Sequence, residues 1–187
     1  MDKATITMKM SLLVFSLIIS FAQAKENKLP EYLTAHDIRF KRCSRAELKA
    51  FSIFHVGYAG LYQEVCQRVI NVFDKSSKNL RFVYERSIPA RAFREAAEQY
   101  LKTNLGSKFN NWKQAIDTFN LAYQDIEDGD YYDLIYTSQS GLKLYLNDTF
   151  LAALNDPRLG LAYLNIWFGE EPFSESLKEA LMTVENF

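Results

Sequence analysis

The chain has 187 residues, of which 48% belong to the apolar set AVILMFWYC, 24% are charged and 14% aromatic. Seven Gly and four Pro are too few for a low-complexity or disordered chain, and the length suits one domain rather than a large multidomain enzyme or a polytopic membrane protein. A formal charge of -1 and a pI near 6.2 speak against a nucleic-acid binder held by phosphate contacts.

Residues Met1–Ala24 read as an export signal. Lys3 and Lys9 supply positive charge, and Ser11–Phe21 (SLLVFSLIISF) is apolar but too short to span about 30 Å of hydrocarbon as a helix. Ala22-Gln23-Ala24 has the small-x-small form of a signal-peptidase site. Met8 is an alternative start, and an uncleaved membrane anchor is the alternative reading of the apolar run. The chain thus divides into a signal peptide, 1–24, and a domain, 25–187. No transmembrane span is expected after signal removal, and the domain is expected to be periplasmic or secreted. In an oxidising compartment Cys43 and Cys66 can form a disulfide, since a hairpin in the interval could bring them together, but spacing alone does not establish the geometry. Two isolated cysteines are poor evidence for a metal site.

Lys25–Tyr32 is a polar leader, and Leu33–Lys41 a first strand. Leu48–Val65 (LKAFSIFHVGYAGLYQEV) is rich in aromatic and β-branched residues, which favour strands. It is too long for one ordinary strand, and Gly57 and Gly60 mark a bulge or a close approach. Asp74–Asn79 is a turn. Leu80–Ile88 (LRFVYERSI) alternates with strand period. Pro89 stops that ladder and opens a helix over Ala90–Asn104, with Gly106 at its end. Phe109–Ile126 repeats the helical spacing. Tyr131–Ser138 and Leu142–Asn147 form a hairpin around Ser140-Gly141, and Asp148–Leu154 starts a third short strand. Pro157–Phe168 reads as a helix, and Pro172 and Ser174 open the last one. Strands, two helices, strands, two helices: the order predicts an α+β fold, an antiparallel sheet layered with helices.

No nucleophile elbow, P-loop, dinucleotide fingerprint or HExxH helix is present, so no cofactor is expected and no catalytic residue is assigned. The acidic run Asp125–Asp130 lacks the spacing of an EF-hand and reads as a solvated turn. Of the two histidines, His36 reads as a surface residue, whereas His55 lies in the glycine-marked strand and either faces a pocket or is structural. Arg39, Lys41, Arg42, Arg45 and Lys49 could anchor an anionic head group, or simply form a solvated strand edge. Tyr58, Tyr62 and Tyr84 either offer polar handles to an apolar cleft or complete the core.

Three stretches in order carry a family resemblance. They are Phe54–Tyr62 (FHVGYAGLY), Leu80–Ala97 (LRFVYERSIPARAFREAA), and a C-terminal block. That block runs from Tyr132–Asn147 (YDLIYTSQSGLKLYLN) into Ala162–Leu181 (AYLNIWFGEEPFSESLKEAL). The set resembles the chalcone isomerase-like family, in particular its exported bacterial branch. The resemblance implies an open-faced β-sandwich. It also implies one of two activities: closure of a chalcone into a flavanone, as in plant members, or fatty-acid binding in the same cleft. The plant reaction needs a cation for a phenolate and donors that polarise an enone carbonyl. In plant enzymes these are an Arg, a Thr, a Lys, a Tyr and an Asn. On this chain the Thr position falls near Gly57, the Lys position near Tyr84, the Tyr position on Phe93 and the Asn position on Tyr100. Arg45, with Arg42 close by, stands for the Arg.

The resemblance therefore implies a cleft without the plant chemistry. Its partner would be a small amphipathic ligand, a fatty acid or a polyphenol-like molecule. Arg42 or Arg45, with Tyr58, would meet the head group, and Tyr84 and Phe93 would line the tail, with His55 and Tyr100 as further ligand-binding residues. The alternatives are an isomerase of the intramolecular lyase type acting on an unknown enone, with Tyr84 or Tyr100 as replacement donors, and a cell-envelope structural or interaction protein using an exposed aromatic patch.

Overall fold

The computed structural model describes residues 28–50 and 53–185, so the signal read over Met1–Ala24 lies outside the described residues. The domain opens with a hairpin of β1 (Tyr32–Ala35) and β2 (Ile38–Ala50), where the sequence pattern predicts one strand over 33–41. The turn residues His36 and Asp37 have φ of 52° and 62°. Tight hairpins need positive φ at both central residues and usually recruit Asn-Gly or Asp-Gly; His-Asp carries no such signal.

β3 (Phe54–Gln63) occupies the glycine-marked run. β4 (Lys78–Tyr84) starts inside the predicted turn and ends before the predicted Ile88. Beyond Tyr84 the backbone finds other partners: the Glu85 amide donates to Val56 O at 2.9 Å, and Ile88 and Ile126 exchange hydrogen bonds of 3.0 Å. The same bridge draws the chain out of helix before Ile126. Helix α1 (Ala90–Leu105) follows Pro89, and α2 (Lys108–Asn120) is shorter than the apolar spacing predicts.

β5 (Tyr131–Thr137), β6 (Gly141–Leu146) and β7 (Thr149–Leu154) complete the strands. The predicted helix over 157–168 is two pieces, α3 (Pro157–Tyr163) and α4 (Asn165–Phe168), parted at Leu164. The last helix, α5 (Glu175–Met182), is capped by Ser174 Oγ, which accepts from the Leu177 amide at 3.3 Å.

The seven strands form one sheet in sequence order, every neighbouring pair antiparallel. The fold is therefore α+β, an antiparallel sheet layered with helices. The chain leaves the sheet after β4 and returns beside it as β5, so α1 and α2 lie over one face. Alternation along the strands sorts side chains between the two faces. Leu80, Phe82, Tyr84, Tyr132, Leu134, Tyr136, Leu142 and Leu144 join the helices in the main core. A smaller cluster of Phe40, Tyr62 and Ile135 lies apart, packed with Leu29, Leu33 and Ile38. Arg81 and Asp133 form a buried bidentate pair at 2.8 and 2.5 Å, and Asn79 donates to the same carboxylate at 2.9 Å. Cys43 and Cys66 are joined by a disulfide across a separation of 23 residues, a closure that stabilises the fold by about 3 kcal/mol through the unfolded state.

Gly57 controls how β3 divides its side chains. Its φ is +151°, and a Cβ there would lie 2.0 Å from Val83 O. The register with β2 shifts at the same place, between Leu48 and Lys49. A regular strand would put Val56 and Tyr58 on one face. Here Val56 joins Ala59 and Leu61 in the main core, while Tyr58 sits against His55, with ring centroids 5.1 Å apart, and under Arg45 at 5.8 Å.

His55 ties three segments together. Nδ1 meets Glu47 Oε1 at 2.8 Å and Nε2 meets Glu85 Oε2 at 2.7 Å. The Glu85 hydrogen bond, aided by Glu47, raises the imidazole above its ordinary value of 6.5 against the opposing effect of burial. The charged form is thus favoured by folding. Its stabilisation is complete below about pH 6.5 and is lost as pH rises through the folded pKa.

Two outcomes follow from these constraints. Gly57→Ala should lower the unfolding free energy by about 2 kcal/mol or more, read from urea unfolding. Melting temperature should fall between pH 6 and 9 in the native chain by more than in His55→Gln, which has no imidazolium to lose; parallel curves for the two proteins would show that the clamp contributes nothing.

Candidate functional site

The backbone of helix α1 packs closely on α2 and α4, while it meets the strands through side chains such as Phe93, which touches Tyr84 and Tyr132. The stand-off leaves a cavity of about 490 Å³ between the helix and the sheet, within the range of about 300–1,000 Å³ usual for small-molecule sites. Its floor is the helix-facing side of the sheet, from Leu48 and Val56 through Phe82 and Tyr84 to Tyr132 and Leu134. Ala92, Phe93, Ala96 and Tyr100 of α1 form one wall, and Ile166, Trp167 and Phe173 close another.

Aromatic rings brace both ends. Phe93 stacks on Tyr123 at 5.5 Å and meets Tyr84 and Tyr132 edge-on at 5.5 and 5.3 Å. Tyr100 contacts Phe173 at 5.7 Å, and Trp167 leans on Phe82 at 5.1 Å. Such offset and edge-on pairs add about 0.5–1.5 kcal/mol each beyond area burial.

The polar atoms fall into two groups. The Tyr132 hydroxyl is committed: it donates to Gln124 O and accepts from Gln124 N, both at 2.9 Å. The Tyr163 hydroxyl donates to Asn120 Oδ1 at 2.6 Å and lies 3.4 Å from the Tyr123 hydroxyl. By contrast, the Tyr84 and Tyr100 hydroxyls and Trp167 Nε1 have no hydrogen-bond partner among the described residues. Burial pushes the Tyr84 hydroxyl well above its ordinary value and that of Tyr132 up to about 12, so both stay protonated at neutral pH. Among the described residues the lining contains no Lys, Arg or His, and its one formally charged residue is Glu95, which is exposed and lies 3.5 Å from Arg91.

The cavity brings together three of the predicted ligand residues, Tyr84, Phe93 and Tyr100. It does not include Arg42, Arg45, His55 or Tyr58, so the guanidinium and Tyr58 expected at the head group lie outside the cavity that holds Tyr84 and Phe93, expected along the tail. Arg45 and Glu47 alternate along β2 with Ala46 and Leu48, which enter the main core, so Arg45 faces away from the helices. Its guanidinium lies over Tyr58 instead. Arg42 pairs in register with Tyr62 of the smaller cluster, donates to Leu29 O and lies 3.5 Å from Glu185. His55 is held by its two glutamates.

Trp167, Tyr123 and Tyr132 belong to the site and were not singled out from the sequence. Their helical or strand spacing marked them as core, and nothing local announces the break at Leu164 that positions Trp167. Among the described residues, no group of three His, Cys, Asp or Glu side chains could hold a metal ion, and no helix is long and apolar enough to cross a membrane.

Comparison with known proteins agrees with this architecture. A solved structure of a fatty-acid binding protein from Arabidopsis thaliana superposes with a TM-score of 0.56, covering 81% of this chain and 96% of that one at 15% sequence identity. At that identity the likeness shows the fold. No curated protein sequence matches the chain. A family model described as chalcone isomerase-like matches residues 46–183, from the middle of β2 to the end of α5. The match takes in the cavity floor, both walls and the sheet from the later part of β2 through β7, and the chain belongs to the chalcone isomerase-like family.

Proposed function

We propose that this protein binds a fatty acid or another small amphipathic molecule in the cavity beneath α1, and that it does so without the cyclisation carried out by plant chalcone isomerases. The observation that carries the reading is the cavity itself: about 490 Å³, lined mainly by aliphatic and aromatic side chains, with a few hydroxyl and indole donors. The fold shared with a plant fatty-acid binding protein supports it. The loss of isomerase chemistry is supported by the lining. A phenolate nucleophile needs a nearby cation, and among the described residues no cationic side chain reaches the cavity wall. At the positions expected to supply the plant Thr and Tyr hydroxyls stand Gly57 and Phe93, neither of which has one.

Export to the periplasm or beyond belongs to the same proposal. It is supported by the leader over Met1–Ala24 and by the Cys43–Cys66 disulfide, a bond that persists in oxidising compartments. An exported carrier of this kind would hold an apolar molecule out of water on its passage through the envelope.

Purified protein should carry a co-purified amphiphile in native mass spectrometry, and its melting temperature should rise on adding long-chain acids or their neutral analogues. Ala96→Trp, which fills the cavity from the α1 side, should weaken that binding at least tenfold while the protein still melts cooperatively. A clean apo mass with no melting shift would remove the proposal. Purified protein should also leave the spontaneous closure of naringenin chalcone unaccelerated; a rate enhancement would restore the isomerase reading.

A further inference from the structure

The inner surface of the cavity specifies the electrical state of what it holds. Tyr84 is 95% buried and Trp167 is 91% buried, as their relative exposures of 5% and 9% show. Both line the cavity and neither polar side-chain atom has a hydrogen-bond partner among the described residues. Neither atom is sealed in the packed core, where the unpaired side-chain atoms among the described residues are Arg42 Nε, Gln63 Oε1 and Asn79 Oδ1; both open onto the cavity, so their partner must come from what fills it. The indole Nε1 can only donate, and a tyrosine hydroxyl held protonated by burial donates readily. The missing partner is therefore an acceptor atom.

The charge of that acceptor follows from the rest of the lining. A carboxylate drawn into an apolar cavity loses its hydration and needs a cation to compensate. Among the described residues no Lys, Arg or His lines this one, and the sole charged residue, Glu95, is itself anionic. Arg42 and Arg45 are on the far side of the sheet, with Arg45 over Tyr58 and Arg42 against Leu29 and Glu185.

We infer that the ligand places an uncharged acceptor oxygen, such as an ester, aldehyde or ketone carbonyl or the carbonyl of a protonated acid, among Tyr84 and Trp167. Any ionised group of the ligand stays at the solvent side near Glu95 and Gln99. The inference rests on reading the cavity as a ligand site and adds the chemistry of its buried end.

Displacement of Nile red by a matched twelve-carbon set tests it: methyl laurate, laurate and dodecane, at pH 8, on the native domain and on Tyr84→Phe and Trp167→Phe. Both substitutions keep a ring in place, and melting confirms that each variant is folded. Methyl laurate should bind more tightly than laurate to the native protein, and at least one of the two substitutions should weaken methyl laurate roughly three- to tenfold while leaving dodecane unchanged. Laurate binding as well as methyl laurate, or both variants binding methyl laurate like the native protein, would overturn the inference while the ligand site stands. Failure of all three probes to displace the dye would overturn the site and the inference together.

Discussion

Helix α1 is held at a distance from the sheet by rings, and the cavity is what remains between them. At one end Phe93 is wedged among Tyr84, Tyr123 and Tyr132, and at the other Tyr100 bears on Phe173. The helix gains its packing partners from α2 and α4, so it does not need to collapse onto the strands. Along α1 the residues facing the cavity include Ala92 and Ala96, whose short side chains leave the space open. Large rings at the ends and small methyl groups between them are a physical recipe for a hollow in a protein interior that otherwise packs as densely as an organic crystal.

The sheet then separates two kinds of chemistry. Its helix-facing side offers rings, hydroxyls and an indole. Its other side holds ions, among them the Arg81–Asp133 pair, the guanidinium of Arg42 and the His55 clamp between Glu47 and Glu85. Buried charge is tolerated there because each group has a partner of opposite sign or a carbonyl to bind. A strand can present a side chain to only one face, so a cation committed to this network is unavailable to the cavity. The irregularity at Gly57 strengthens the division, since it keeps Val56 in the apolar face while His55 and Tyr58 join the charged one.

This arrangement is what the proposed holding function, rather than a cyclising one, rests on. Cyclisation needs charge to be stabilised as it moves from a phenolate to an enone carbonyl. A cavity with weakly polar donors and no cation can orient an acceptor atom but offers little to a developing anion. In the proposed function the free energy of binding comes mainly from apolar burial.

Much of the architecture was legible in the residues. Alternation in Leu80–Ile88, Pro89 before a helical spacing, and the Ser140-Gly141 hairpin named the strands and helices in the right order, because side-chain periodicity and turn chemistry are local properties. The first hairpin was missed since His36-Asp37 adopts positive φ without the residues that usually signal it. The early end of α2 and the break at Leu164 depend on partners distant in sequence, Ile88 for the one and the packed helices for the other. The site divides in the same way. Tyr84, Phe93 and Tyr100, drawn to the ligand by the family resemblance, line the cavity, whereas Arg42 and Arg45, expected at the ligand's head group, do not. A one-residue irregularity reverses which face a strand residue meets; Gly57 announces the shift at Leu48, but nothing in composition or spacing announces the one between Arg42 and Ser44. The residues alone determined an aromatic-rich α+β domain and the family it resembles. Tertiary structure decided which side chains share a surface, because that depends on register, and register is settled only when strands pair.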